Sequence, residues 1–242
     1  MELTTTNIAE MKLLFNSLKD ILSETNMVFT PSGIKIITMD KLQTTLVDLF
    51  LPADNFDMYS CNHEKIVIAI DLIQFYKIIH SLETNDELTI KYDFGTSEYL
   101  KFIFKNTNRV KHLKMKLIEP DDTESVIPNV VYNHETKLNT TEFKKAIKTM
   151  IGNILCITTK TDKLKLLCSD SYIDTSVEFN NVDYVKTSET EIKQQFELKS
   201  IMSITKCCGL CDNLSIHQAE NRPIIFGFET ELGILKICIS EV

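Results

Sequence analysis

The chain has 242 residues, of which 43% are hydrophobic, and it carries a formal net charge of −8 at pH 7. That length supports one large core or two cores of about 120 residues each, and no apolar run approaches the roughly 20 residues that a membrane-spanning helix needs. The N-terminus lacks the order of a signal peptide, and the acidic balance argues against a uniformly basic nucleic-acid-binding surface, so we expect a soluble, intracellular protein without membrane contacts.

The first half of the chain alternates helical and strand-like patterns. Apolar residues at helical spacing predict one amphipathic helix over 8–22 and a second over 72–79. Runs rich in β-branched and aromatic residues predict strands between and after them. These runs are 27–29, 34–39, 45–51, 66–70, 88–92, 100–105 and 110–117.

The second half contains two further helical patterns. Phe143, Ile147 and Met150 share one face of the third predicted helix, and Leu198, Ile201 and Ile204 share one face of the fourth. Each half is therefore mostly sheet with two helices, which places the chain in the α+β class.

The two halves also repeat each other. The run 33–40 reappears as 163–170, and Phe15 reappears as Phe143, at an offset of about 130 residues. Five apolar positions of the second helix and its following strand recur at one constant spacing, which indicates two copies of one structural unit. They are Leu72, Phe75, Ile78, Leu88 and Ile90, which match Leu198, Ile201, Ile204, Leu214 and Ile216.

Each predicted helix carries basic residues on its polar side, at spacings of three or seven that place each pair on one face. Ordinary solvated surface is the alternative explanation for any one helix. Side by side, the four helices would form a track for a phosphate backbone without readers of base sequence. The residues are Lys12, Lys19, Lys77, His80, Lys145, Lys148, Lys199 and Lys206.

The cysteines and glycines do not indicate an enzyme. Seven cysteines at irregular spacing predict free thiols in a reducing compartment. Cys208 and Cys211 form a CxxC, but His217 is the only nearby further ligand and a structural zinc site needs four. With no glycine-rich phosphate loop, we predict no catalytic residues, metal or cofactor. A cysteine-based metal or redox protein is the alternative from another class.

Taken in order along the chain, these residues resemble the family of proliferating cell nuclear antigen, the eukaryotic-type DNA sliding clamp. The resemblance covers essentially the whole chain and rests on the collinear order of many short matches. The matching stretches include 18–20, 32–34, 39–40, 56–61, 72–78, 115–117, 127–128, 142–143, 205–206 and 233–236.

The resemblance implies a DNA-clamp fold: two similar domains, each with two helices on antiparallel sheets, that assemble into a homotrimeric ring with the helices lining the hole. It assigns the eight basic residues of the track to that lining. His80 stands where a lysine is usual, and histidine is mostly neutral at pH 7. The basic stretch 109–116 is expected to pair with 172–179 of a neighbouring subunit, where Asp174 and Glu178 offer opposite charge.

The stretch 118–128 is acidic, bounded by prolines and without periodicity, which predicts an exposed linker. We therefore expect a first domain over 1–117, a linker over 118–134 and a second domain over 135–242. The resemblance implies a hydrophobic pocket beside this linker that binds short peptides of client proteins. Ser125 and Cys238 replace the leucine and tyrosine usual there. The implied pocket residues are Met39, Gln43, Val126, Ile127, Pro128, Pro223, Cys238 and Ser240.

The predicted function is that of a non-enzymatic processivity factor. It would encircle double-stranded DNA without sequence specificity, tether DNA polymerase and repair proteins, and need a clamp loader for ring opening. One subunit of a heterotrimeric checkpoint-type clamp is the alternative with the same fold. We expect the protein at sites of DNA replication, in the nucleus or at a cytoplasmic viral replication site.

Overall fold

The computed structural model describes residues 1–120 and 130–242. Helices lie where the apolar periodicity predicts them, and each is connected through extended strands. The helices are α1 (Ile8–Leu18), α2 (Leu72–His80), α3 (Thr140–Thr149) and α4 (Leu198–Ile204).

The strands divide equally between the two halves of the sequence. Those of the first half are β1 (Glu2–Thr5), β2 (Glu24–Thr30), β3 (Gly33–Met39), β4 (Thr45–Pro52), β5 (Met58–Ser60), β6 (Ile66–Asp71), β7 (Glu87–Lys91), β8 (Tyr99–Lys105) and β9 (Val110–Lys116). Those of the second half are β10 (His134–Asn139), β11 (Ile154–Lys160), β12 (Lys163–Ser169), β13 (Asp174–Phe179), β14 (Asp183–Lys186), β15 (Ile192–Glu197), β16 (Asn213–Gln218), β17 (Ile224–Glu229) and β18 (Ile234–Ile239).

The strand predictions for the first half are confirmed, and two short strands were missed. β1 and β5 have few β-branched apolar residues, so their sequences do not predict a strand. The prediction for α1 was wrong at its end, because the helix stops at Leu18. Leu22 lies beyond the helix but is only 2% exposed, so a buried residue continued the apolar pattern outside the helix.

The chain divides into two compact units. The first comprises 1–40, 48–125 and 230–234, and the second comprises 41–47, 126–229 and 235–242. Within the first unit, one sheet has the strand order β5-β1-β7-β8-β9, and the order β4-β3-β2-β6 forms a second layer. Its helices α1 and α2 pack through Phe15 and Phe75, whose ring centroids lie 4.5 Å apart and which are both fully buried.

The second unit repeats this arrangement strand for strand. Its orders are β14-β10-β16-β17-β18 and β13-β12-β11-β15. Phe143 of α3 packs against Phe226 of β17 at 5.8 Å between ring centroids, and both are buried. Corresponding strands pair antiparallel in both units, for example β2 with β3 and β11 with β12. The predicted α+β class and the two similar domains, each with two helices on antiparallel sheets, are confirmed.

β9 and β13 are edge strands with exposed apolar side chains on or beside them. β9 lies at the end of its sheet and pairs only with β8 among the described residues, and β13 pairs there only with β12. Val110 on β9 is 55% exposed and Ile173, next to β13, is 48% exposed. Unpaired backbone groups beside apolar side chains are the features that natural sheets use to pair with another chain.

None of the helices in the described parts of the chain combines the length and the hydropathy that crossing a membrane requires.

Candidate nucleic-acid interface and peptide pocket

The helix pair α1 and α2 carries the basic residues of the first unit. α2 begins at an N-cap, Asp71, whose carboxylate accepts a hydrogen bond from the Gln74 backbone N–H at 2.9 Å. Its apolar face is buried through Leu72, Phe75 and Ile79, which leaves Lys77 and His80 exposed. The local sequence thus fixes which face of α2 remains available to a ligand.

Lys12 on α1 and Lys19, which directly follows that helix, already have partners within the molecule. The Lys12 ammonium donates a hydrogen bond to the Leu82 carbonyl at 2.5 Å, just beyond the end of α2. The Lys19 ammonium lies 3.1 Å from the Asp20 carboxylate and 4.9 Å from the centroid of the Tyr76 ring. Both lysines are half-buried, so they hold the surface of the helix pair together as well as adding charge to it.

Lys77 and His80 are more open. The Lys77 ammonium has a long hydrogen bond of 3.5 Å to the Gln74 side-chain oxygen. His80 stacks on Tyr76, with ring centroids 5.3 Å apart, and its Nδ1 lies 3.3 Å from the Tyr76 hydroxyl. Tyr76 was not among the predicted site residues, because a single tyrosine on a helix gives no sequence signal of its contacts.

In the second unit, α3 begins at Asn139, whose side-chain oxygen accepts from the backbone N–H groups of Thr141 and Glu142. Lys145 lies one turn further and pairs with Glu142 at 2.8 Å, and both are well exposed. Lys148 and Lys199 are exposed as well. Within the described parts of the chain, neither of these two lysines has an ion-pair partner.

The structure corrects the geometric argument for Lys206. Its spacing of seven from Lys199 predicts that both lie on one helix face, but α4 ends at Ile204. Lys206 follows the helix and precedes a 3-10 turn over Cys207–Gly209. Its side chain is exposed, as the prediction required, although a turn rather than a helix presents it.

The exposed residues of the predicted track are five lysines and one histidine. Lysine ammonium groups donate to phosphate oxygens as mobile point charges, so these helix faces can bind a polyanion without sequence preference. Each unit presents such a face, built on the same two helices of the repeat.

The predicted peptide pocket is only partly within the described chain. Val126, Ile127 and Pro128 lie outside the described residues. In the first unit, Met39 ends β3 and is 36% exposed. In the second unit, Gln43 and Ser240 are exposed, Pro223 is half-buried, and Cys238 is 8% exposed.

Around Pro223 the second unit forms a wall that includes an aromatic side chain. The Tyr132 hydroxyl donates to the Pro223 carbonyl at 3.3 Å, and the Tyr132 ring meets the His217 ring edge-to-face at 5.9 Å. Burial raises the pKa of Tyr132, and the nearby Cys238 adds to this shift. The structure therefore brings Pro223 and Cys238 together with Tyr132, an aromatic side chain that the predicted residue set omitted.

Both cysteines of the CxxC motif have raised pKa values. Burial raises the pKa of Cys208 to about 12, and burial also raises the pKa of Cys211. A thiolate is the reactive and metal-binding form of cysteine, and it is suppressed at both positions. No group of three or more potential metal ligands occurs among the residues that the structure describes.

Comparisons with known proteins agree on one family. The family model "Proliferating cell nuclear antigen, N-terminal domain" matches residues 1–125. A probable DNA polymerase sliding clamp of Paramecium bursaria Chlorella virus 1 is 24% identical over 244 residues, which cover 96% of this chain and 93% of that protein. The proliferating cell nuclear antigen of Dictyostelium discoideum is 23% identical over 245 residues, covering 95% of this chain and 94% of that protein.

A solved structure has the same fold. The proliferating cellular nuclear antigen from Entamoeba histolytica superposes with a TM-score of 0.92 at 21% sequence identity, and the match covers 100% of this chain and 98% of that chain.

Proposed function

Because the chain belongs to the proliferating cell nuclear antigen family, we propose that it is a DNA sliding clamp: a non-catalytic ring that encircles duplex DNA and increases the processivity of a DNA polymerase. The observation that carries this proposal is the repeat itself. Two copies of one unit each present a helix pair with exposed basic residues, within a chain whose net charge is −8. Repulsion elsewhere on the surface directs a polyanion to those faces.

Grip on DNA in such a ring is topological. Individual lysine–phosphate contacts are weak, exchangeable and without base specificity, so they permit sliding, and ring closure prevents dissociation. A closed ring cannot thread onto circular DNA, so a clamp loader is required as a partner.

We infer that the ring is a homotrimer closed through the edge strands β9 and β13. β9 presents Lys111, Lys114 and Lys116, and β13 presents Asp174 and Glu178. A head-to-tail contact needs two different and complementary surfaces on each subunit, and these two edges fulfil that requirement. The existing partner of Glu178 is Lys163, at 3.8 Å on the exposed surface, and such a pair contributes little stability.

The wall formed by Tyr132, Pro223 and Cys238 supports a role as part of the pocket for client peptides. Its aromatic ring and apolar neighbours suit an aromatic or aliphatic anchor, which is how short motifs usually dock. With residues 118–134 as the linker between domains 1–117 and 135–242, polymerase and repair proteins would bind at this pocket. The site of action is then wherever the DNA in question is copied, in the nucleus or at a viral replication site.

The first experiment is the native mass of the purified chain over a dilution series, by light scattering. We expect a trimer that persists on dilution, and that it is retained on nicked circular DNA only after a clamp loader acts. A stable monomer that forms rings only with other chains would instead assign it to a heterotrimeric checkpoint-type clamp.

A double charge reversal tests the DNA-facing surface. Lys77→Glu combined with Lys148→Glu removes two exposed cations without touching the core, so the fold and the trimer are expected to persist while polymerase processivity falls. Unchanged processivity in this variant would contradict the assignment of the helix faces to DNA.

A further inference from the structure

The helix pair of the first unit contains an aromatic cluster to which the proposed lysine–phosphate contacts assign no role. It consists of Tyr76, His80 and Lys19, and we refer to it as the tyrosine–histidine cluster. The Tyr76 hydroxyl lies 3.3 Å from His80 Nδ1, the two rings stack at 29° with centroids 5.3 Å apart, and the Lys19 ammonium lies 4.9 Å from the Tyr76 centroid. Tyr76 and His80 lie one turn apart on α2, and the exposed Lys77 lies between them in the sequence.

The chemistry of this contact depends on which imidazole nitrogen carries the proton. A neutral histidine has one N–H donor and one nitrogen acceptor, and a hydrogen bond at one nitrogen decides the state of the other. A phenol is a good proton donor, and an unprotonated imidazole nitrogen is a better acceptor than a phenol oxygen. When the Tyr76 hydroxyl donates to Nδ1, the hydrogen of neutral His80 must therefore reside on Nε2.

We propose that Tyr76 is a positioning residue that holds neutral His80 in the Nε2–H form, so that His80 donates a hydrogen bond to a DNA phosphate without carrying charge. His80 is exposed on the helix face with its Nδ1 already occupied, so Nε2 is the nitrogen that remains for a ligand. The inference rests on the proposed DNA-binding function and deepens it. In its neutral form a histidine at this position offers a directed N–H donor.

The contact with Lys19 fits the same role. The carboxylate of Asp20 offsets the positive charge of the Lys19 ammonium. The face of the Tyr76 ring, in contrast, orders the ammonium without adding a negative charge. Tyr76 thus fixes one charged and one neutral donor on the same surface. The pairing also restricts the Tyr76 ring, which keeps its hydroxyl directed at His80.

The direct test is nitrogen-15 NMR of the imidazole groups in the purified protein without DNA, at pH 8, where histidine side chains as a class are neutral. The two tautomers give distinct nitrogen shifts. We expect His80 to be in the Nε2–H form, and Tyr76→Phe to produce a mixture of both forms. Nδ1–H as the main form in the wild type, with the histidine donating to the tyrosine oxygen, would overturn the proposal.

Binding measurements connect the tautomer to DNA. With a short linear duplex at low salt, Tyr76→Phe should weaken binding about twofold to fourfold, because only the fraction of molecules with the competent tautomer makes each contact. The slope of log affinity against log salt should stay unchanged, since a neutral donor releases no counterion, whereas Lys77→Ala should lower it by about 0.9. A lowered slope in Tyr76→Phe would mean that the effect runs through Lys19, against the proposal.

A double-mutant cycle supplies the rescue. In a His80→Gln background the side-chain amide donates without any tautomer choice, so Tyr76→Phe should have no further effect on binding. An equal loss in both backgrounds would contradict the proposed link. Tyr99→Phe serves as the matched control, because Tyr99 lies on β8, is 41% exposed and is not on the helix pair.

Failure of the DNA-binding function and failure of the proposed role of Tyr76 give different experimental results. If the wild-type protein and Lys77→Ala bind DNA equally poorly while NMR shows the Nε2–H form, the proposed DNA-binding function fails and the inferred phosphate contact fails with it. If DNA binding and the Lys77 effect are present but His80 is in the Nδ1–H form, the clamp function stands and only the role of Tyr76 is refuted.

Discussion

The helix pairs of the two units have the same backbone arrangement but use their charges differently. In the first unit, Lys12 is bonded to the Leu82 carbonyl and Lys19 to Asp20 and Tyr76. In the second, Lys148 and Lys199 are exposed, with no ion-pair partner in the described chain. A structural repeat constrains the apolar face that forms the core, whereas polar side chains can acquire different partners without disturbing it.

The cores differ in a related way. The first unit fills the space between its helices with the pair Phe15 and Phe75, whose rings are tilted by 54°, while the second has Phe143 and, at the position matching Phe75, the smaller Ile201. All four of these side chains are fully buried. The four predictions below test how far the two copies can be exchanged, in order of decreasing expected effect.

The largest effect is expected from Phe75→Ala. The ring is fully buried between Phe15 and Phe102, so its removal leaves a cavity and should lower the free energy of unfolding by about 3–5 kcal/mol. Urea unfolding followed by circular dichroism measures this. Ile73→Ala on the same helix is the control, since Ile73 is 45% exposed and its loss should cost less than about 0.5 kcal/mol. Equal losses of unfolding free energy in the two variants would show that the Phe75 ring does not stabilise the packing of the helices.

The second-largest loss of stability is expected from a substitution at Gly33, whose counterpart in the second copy is Lys163. Gly33 has φ +142° and a Cβ added there would lie 2.2 Å from the Leu51 carbonyl oxygen. Gly33→Ala should therefore lower the free energy of unfolding by about 2–3 kcal/mol through backbone strain and displacement. Gly209→Ala, which meets no atom within 4 Å, is the matched control and should change the melting temperature little. A tolerated Gly33→Ala would mean that the first copy can adopt the backbone of the second.

Asp86 provides a pH-dependent difference, because its repeat counterpart Asp212 is exposed. The Asp86 carboxylate accepts from the Glu83 N–H at 2.7 Å and from Asn106 at 2.6 Å, and these hydrogen bonds hold the pKa of Asp86 below its usual value despite burial. A carboxyl with a lowered folded-state pKa stabilises the protein above its unfolded pKa, and this contribution is lost as the pH falls through the folded value.

Asp86→Asn should therefore cost about 1–2 kcal/mol of unfolding free energy at pH 7, because one of the two donors to the buried Asp86 side chain loses its acceptor. The difference from wild type should shrink on acidification below about pH 4, near the ordinary carboxyl pKa. Chemical denaturation at a series of pH values measures it. Asp212→Asn should be nearly neutral at every pH, and a pH-independent cost for Asp86→Asn would rule out the charged hydrogen bonds as its cause.

The smallest effect compares the lysine pairs of the two units in DNA binding. Lys148→Ala with Lys199→Ala removes two uncommitted cations and should lower the salt slope by about 1.8. Lys12→Ala with Lys19→Ala should lower it by less, because both ammonium groups already have internal partners. Fluorescence anisotropy over a salt series distinguishes them. Equal slopes would show that the internal contacts break on binding, so that the two faces act alike.

The repeat, the four helices and most strands of the first half are predictable from the sequence alone. Six of the eight predicted basic residues are exposed, whereas Lys12 and Lys19 are half-buried. These are local properties, because burial on one side of a helix or strand imposes its period directly on the sequence. The family resemblance followed from the same collinear pattern, and the match of the family model to residues 1–125 confirms it.

The individual side-chain contacts are visible only in the tertiary structure. The end of α4 before Lys206, the bond from Lys12 to the Leu82 carbonyl, the tyrosine–histidine cluster and the wall of Tyr132 against Pro223 have no local signature. Each depends on two segments that are distant in sequence or on one side-chain rotamer among several. Such contacts are chosen by packing of the whole unit, and a periodic pattern carries no information about them.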